Sequence, residues 1–168
     1  MTARVVSFPA IATPEASILI LGSMPGAASL EAGEYYAHPR NAFWPIMADV
    51  IGFDLAATYR FRVTALRQAR VALWDVLKAC RRSGSLDSDI EPDSIEVNDF
   101  GAFFATHPRI TRVCFNGGTA ERYYRRFVPA ILTCPDLHYT RLPSTSPAHA
   151  AMSFAAKAQA WRAALLQP

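Results

Sequence analysis

Three short apolar runs, each broken by a loop rich in Gly, Pro, Asn or Ser, place the tightest limit on what this chain can fold into. Residues 17–22 (SILILG) form an apolar run that stops at Gly and Pro, which reads as a buried strand. Residues 110–115 (ITRVCF) read as a second strand, which ends at Asn116-Gly117-Gly118 and passes into a helix, TAERYYRRF. Residues 137–142 (LHYTRL) read as a third, ending at Pro143-Ser144-Thr145-Ser146-Pro147. A last helix starts near His149 or Ser153 and runs to Leu166. Between the first two strands, helical patterns start at Asn41 (with Pro45 in the first turn), at about Thr58 and at Asn98 or Asp99. Strands alternating with helices predict a three-layer α/β/α sandwich, its sheet covered on both faces. The loops after Gly22, Phe115 and Leu142 then gather along one sheet edge, where such folds build their sites.

The 168 residues suit one domain, 1–168, which buries roughly 70% of its unfolded surface and needs no disulfide or metal for stability. No apolar run reaches the ~18 residues of a membrane span, and the first ten residues lack a signal peptide's apolar core. The expectation is a soluble, cytoplasmic protein with no membrane partner. Cys80, Cys114 and Cys134 are widely spaced, with no CxxC and no zinc-type Cys/His set. They read as buried thiols, with neither metal nor cofactor expected.

The net charge of +3 conceals an asymmetry. Six of the fourteen acids (Asp87, Asp89, Glu91, Asp93, Glu96 and Asp99) fall in one stretch without a single Lys or Arg. The remainder is strongly basic, and fifteen of the seventeen bases are Arg, whose planar fork suits phosphate. A basic body with one acidic loop is compatible with a polyanionic partner, although arginine-rich coding produces the same bias. A polyanion partner predicts basic side chains along the site edge, with the acidic segment lying away from it except at its first residues.

None of the three post-strand loops is a P-loop, a GxGxxG fingerprint or a GxSxG elbow, which sets aside nucleotide hydrolysis, dinucleotide redox chemistry and common acyl hydrolysis. Asp75 and Asp87 are available as a carboxylate pair, though their spacing does not require one. What the loops do contain is Met24-Pro25-Gly26, then Tyr36, then His38-Pro39-Arg40-Asn41-Ala42-Phe43-Trp44, and finally LPSTSPA at 142–148. In that order and spacing they resemble the motifs of the uracil-DNA glycosylase superfamily, and within it the hypoxanthine-DNA glycosylase branch. The resemblance spans about residues 18–152. It implies a central, mainly parallel four-stranded sheet and a monofunctional glycosylase that removes hypoxanthine from deoxyinosine in double-stranded DNA, acting as a monomer.

The resemblance also implies site residues. Mismatch uracil glycosylases position the attacking water with the Asn of an N-P-G triplet. Met24 stands there in this chain, and a thioether is a poor acceptor for water. In the hypoxanthine branch the essential residue is the Asn of HPxN, here Asn41, so Asn41 is the expected catalytic group. The base pocket is expected from Gly22, Ser23, Met24, Pro25, Tyr36, His38, Phe43, Ser85, Asp87 and Asn116. DNA contacts are expected from Ser144, Thr145, Ser146, Pro147 and His149, the last standing where the family pattern has Asn. Cys80 lies near where iron–sulfur relatives keep a cluster ligand, but its partners are missing and no cluster is expected.

Plainer readings stand beside these. Asn41 also fits a helix N-cap, Phe43 and Trp44 fit the core of the first helix, and His38 fits a brace for its own loop. A mismatch uracil or thymine glycosylase is the same-class alternative. A non-catalytic DNA-binding module and a hydrolase of free nucleosides are the alternatives from other classes.

Overall fold

A computed structural model describes residues 2–129 and 136–167. Cys134 lies outside them. Along the chain run β1 (Ala3–Val6), β2 (Ile18–Gly22), α1 (Ala27–Ala32), α2 (Phe43–Ile51), α3 (Tyr59–Gln68), β3 (Val71–Asp75), β4 (Leu77–Arg82), β5 (Glu96–Val97), α4 (Phe100–Thr106), β6 (Arg112–Asn116), α5 (Gly118–Phe127), β7 (His138–Leu142) and α6 (Phe154–Leu165). A four-stranded sheet in the order β3-β2-β6-β7, parallel at every pairing, forms the centre.

The continuous apolar run of β2 follows from burial on both faces. Leu19 and Leu21 point into one core with Phe100 and Phe103 of α4 and Tyr123 and Tyr124 of α5. Ile18 and Ile20 point into the other, against Phe43 and Met47 of α2, Leu66 of α3 and Trp161 of α6. The expected layers are present, with one addition. The face carrying α4 and α5 also holds a small antiparallel sheet, β1-β4-β5, which the sequence pattern did not suggest. Residues 71–82 supply one strand to each sheet, with Val76 alone between them.

Helix starts follow their caps. Thr58 accepts from the Phe61 amide at 3.3 Å, Asp99 from Ala102 at 2.9 Å and Ser153 from Ala156 at 3.2 Å. The chain leaves β2 toward β3 on one side and returns to β6 on the other, which makes the carboxyl end of β2 a topological switch point. The parallel register sets Gly22 of β2 beside Asp75 of β3 there.

Candidate active site

A cavity of about 1030 Å³ opens at this carboxyl edge. Gly22, Tyr36, Asn41, Asp75, Asp87 and Asn116 are among the residues lining it, drawn from stretches far apart in the chain. Its volume is at the upper end of small-ligand sites, sufficient for a nucleotide with part of its backbone.

The floor is built on the Gly22–Asp75 pairing. A Cβ added at position 22 would lie 2.5 Å from Asp75 Oδ1 and 2.9 Å from the Tyr36 hydroxyl, so only glycine lets these two groups converge. Asp75 is 3% exposed, and its Oδ2 is buried without a hydrogen-bond partner among the described residues. Burial, reinforced by the charge of Asp87 and opposed by Arg82, pushes the Asp75 carboxyl up to about 7. Burial, reinforced by Asp75 and opposed by the nearby Asn116 amide, likewise raises the Tyr36 phenol above its ordinary range, so it stays protonated. Tyr36 holds a left-handed backbone (φ 55°), and its ring stacks on Phe43, with centroids 4.1 Å apart and planes 22° apart.

A carboxyl whose folded pKa lies above its unfolded value of 3.8 favours the folded state at low pH. That contribution is complete below about pH 4 and lost as pH rises through about 7, at about 1.4 kcal/mol per unit. Thermal melts of wild type and Asp75→Asn are therefore expected to converge near pH 4 and to separate by pH 8, with the variant the more stable. Parallel curves across this range would show that Asp75 is not held neutral.

The loop after β2 is braced from several sides. Ser23 donates to Asp87 Oδ1 at 2.7 Å, and the Ala27 amide donates to Ser85 Oγ at 3.0 Å, tying this loop to residues 85–87. The buried Arg82 donates to the Pro25 carbonyl. His38 Nδ1 accepts from the Arg40 amide at 3.1 Å, which assigns its ring proton to Nε2 and bears out the bracing reading. Asn41 Oδ1 accepts from the Phe43 amide at 2.9 Å at the entry to α2. Ala42, not Asn41, is the N-cap of α2, so the capping reading is not met as such; the Asn41 bond closes a turn just before the helix, and Asn41 also lines the cavity. That bond fixes the amide, and Nδ2 and the second lone pair of Oδ1 make no other hydrogen bond among the described residues.

Two expected contacts are corrected. Phe43 is fully buried and lies behind Tyr36 as its support, outside the cavity lining, because the first turn of α2 turns it toward Trp161. Thr145 is not a free DNA contact. It is 1% exposed, its hydroxyl accepts from Asn116 Nδ2 and its amide donates to Asn116 Oδ1, both at 2.9 Å. The same residue's carbonyl accepts from the Ala42 amide at 3.0 Å. Asn116 thus lines the cavity while both its polar atoms clamp the 142–148 loop, and that loop in turn holds the segment bearing Asn41.

Ser144, Ser146, Pro147 and His149 line the opening, as do Ser85 and Asp87 on the other side. Ser144 Oγ accepts from the Ser146 amide and Ser146 Oγ from the Ala148 amide, each at 3.2 Å. Gly117, at φ 92°, passes so close that a Cβ would lie 3.0 Å from that of Ser144. Lys157 donates to the His149 carbonyl at 2.7 Å and anchors the far end of the loop.

The charge expectation is met only in part. Arg122 and Arg141 line the opening, and of the acidic run only Asp87 does. Arg70, Arg109 and Arg112, however, sit at the starts of β3 and β6, on the opposite sheet edge. Arg4 pairs with Glu96 and Arg162 with Asp49. The excess of arginine is spread over both ends of the fold and is not a footprint of the site.

Asp75 is the functional candidate missing from the expected pocket. A lone acid between apolar neighbours in ALWDVL was the available signal.

The fold and the site define a doubly wound α/β domain whose carboxyl edge holds a nucleotide-sized, aromatic-walled cavity, with an amide in its lining and two arginines at its mouth. The family profile of the uracil DNA glycosylase superfamily matches residues 8–167. Two proteins called hypoxanthine DNA glycosylase are similar to this chain over 117 residues, 69% of it and 73% of each relative. The one from Methanosarcina barkeri is 38% identical and the one from Methanosarcina acetivorans 39%. A solution NMR structure of a Methanosarcina acetivorans protein, described as a candidate uracil DNA glycosylase, superposes with a TM-score of 0.81 at 32% identity, covering 97% of both chains. The chain belongs to the uracil DNA glycosylase superfamily, and with it to the N-glycosylases. No described helix is long and apolar enough to cross a membrane.

Proposed function

We propose that this protein is a monofunctional glycosylase of base-excision repair. In this reading it hydrolyses the N-glycosidic bond of deoxyinosine in double-stranded DNA and acts as a monomer in the cytoplasm. The observation that carries the reading is that Asn41 and Met24 line one cavity, with Met24 standing in the motif where the mismatch uracil enzymes have asparagine. The names of the two Methanosarcina relatives support the choice of base.

The chemistry requires an extruded nucleotide, a positioned water and a stabilised leaving base. Tyr36, backed by Phe43, offers a stacking surface to the flipped base, worth ~1–3 kcal/mol by analogy with other nucleic-acid stacking. Asn41, with its orientation fixed by the Phe43 amide, holds the water through the free lone pair of Oδ1. As the C1′–N9 bond breaks, its electron pair leaves with the purine. The water oxygen then bonds to C1′, and the displaced proton passes to the base. Ser144, Ser146, Pro147 and His149 flank the DNA backbone at the opening, with Arg122 and Arg141 facing its phosphates.

Duplexes carrying one deoxyinosine, one deoxyuridine or a G·T mismatch, incubated with the enzyme and treated with alkali, test this reading. Strand scission is expected at deoxyinosine first. Preferential cutting at uracil or at mismatched thymine would move the protein to the mismatch group, and no abasic product from any duplex would leave a binding module. Release of hypoxanthine from free inosine would mark a nucleoside hydrolase.

A further inference from the structure

Asp75 is the one group on the cavity floor with no assigned task. It is a buried carboxyl whose Oδ2 has no partner among the described residues, beside a glycine that makes room for it. Leaving such a group unsatisfied costs stability, and that cost is explained if a ligand supplies the missing bonds. Resting on the reading above, we propose that Asp75 reads the extruded base as a carboxylic acid. One of its oxygens accepts from N1–H of the purine lactam and the other donates O–H to O6.

The geometry of entry supports this assignment. A purine enters the cavity attached to its sugar through N9, so the edge bearing N1 and O6 lies farthest from the sugar and travels deepest. With the ring laid against Tyr36, that edge meets the floor where β2 and β3 end, at Gly22 and Asp75. A carboxylate offers only acceptors and would repel O6. An acid offers the donor–acceptor pair that the lactam edge complements. The donated hydrogen bond also strengthens as negative charge spreads over the departing purine, so it contributes to the reaction as well as to recognition.

The surroundings hold the proton in place. Asp87 and Arg82 face Asp75 from the strand and loop beyond it, Tyr35 and Tyr36 from the loop above. His38 and Arg122 line the same cavity farther out. Burial and Asp87 outweigh Arg82, and the carboxyl keeps its proton up to about pH 7. An acid can also present the reverse polarity to adenine, so Asp75 fixes which edge is read. The rejection of adenine comes from its pairing and stacking in intact duplex, which make it costlier to extrude.

Single-turnover cleavage of a deoxyinosine duplex by wild type, Asp75→Asn and Asp75→Leu from pH 5.5 to 9.5 tests the proposal, with circular dichroism confirming that each variant is folded. The carboxamide of Asn also presents one donor and one acceptor but does not titrate. Wild type is expected to be fastest at low pH and to slow by about tenfold per unit above the Asp75 pKa. Asp75→Asn is expected to stay within about tenfold of wild type at pH 6 and to lose the alkaline decline. Asp75→Leu is expected to fall by about 100-fold or more while binding an abasic duplex as wild type does. A wild-type rate that rises with pH, with Asp75→Asn as inactive as Asp75→Leu, would make Asp75 a base and overturn the proposal. Wild type that cuts no deoxyinosine at any pH, yet cuts another lesion, overturns the hypoxanthine reading and the purine pairing with it.

Discussion

Asn41→Ala is expected to slow deoxyinosine cleavage by about 10²- to 10³-fold, the size seen when a single preorganised polar contact to a reaction centre is removed. The substitution has a second consequence that must be separated from the first. Asn41 Oδ1 also accepts from the Phe43 amide in the turn before α2, and loss of one such hydrogen bond costs about 1 kcal/mol of stability. That is too little to unfold an ordinary domain, so the variant should remain folded and bind DNA. Asn41→Asp separates the roles, because a carboxylate keeps an acceptor for the Phe43 amide and for water but loses the amide donor. Activity of Asn41→Asp well above Asn41→Ala, at equal fold stability, assigns the function to Oδ1. Equal loss in both variants assigns it to Nδ2 instead. Asn41→Ala cleaving as fast as wild type would reduce Asn41 to a brace for the turn before α2.

Much of this arrangement is legible in the sequence because it depends on local signals. The run at residues 17–22, the break at Asn116-Gly117-Gly118 and the Pro-bounded Ser-Thr-Ser loop each mark a strand end, and parallel strands bring those ends together. The capping residues Thr58, Asp99 and Ser153 mark helix starts in the same way. Residues 71–82 were harder to read, because VALWDVLKAC carries no Gly or Pro where β3 passes into β4 and its apolar content fits helix or strand alike. The inward turn of Thr145 was not legible at all. Its hydroxyl is bound by Asn116, 29 residues away, and nothing local distinguishes it from the serines on either side. Asp75 is legible only as a lone acid among apolar neighbours, because its state is set by burial and then by Asp87 and Arg82, which arrive from later in the chain. Pair spacing along a sequence does not report such convergence.

Gly22→Ala is expected to produce the other large effect, at a residue that carries no chemistry. The new methyl group would stand 2.5 Å from Asp75 Oδ1 and 2.9 Å from the Tyr36 hydroxyl, well inside contact distance for both. These atoms are side-chain ends, so the fold is able to yield, at about 1–3 kcal/mol for an overpacked core position. What yields is the floor of the cavity. Asp75 and Tyr36 must separate, and a displacement on the order of 1 Å in a positioned group costs roughly 100-fold in rate. The expected outcome is therefore a folded protein, slightly lower in Tm, with cleavage reduced about 100-fold. Because Asn41 is untouched, the loss should appear in recognition of the base, and the variant should retain its affinity for an abasic duplex. If Gly22→Ala cleaves deoxyinosine at the wild-type rate, the convergence of Asp75 and Tyr36 on the base has no part in the reaction, and base recognition must lie elsewhere on the cavity wall.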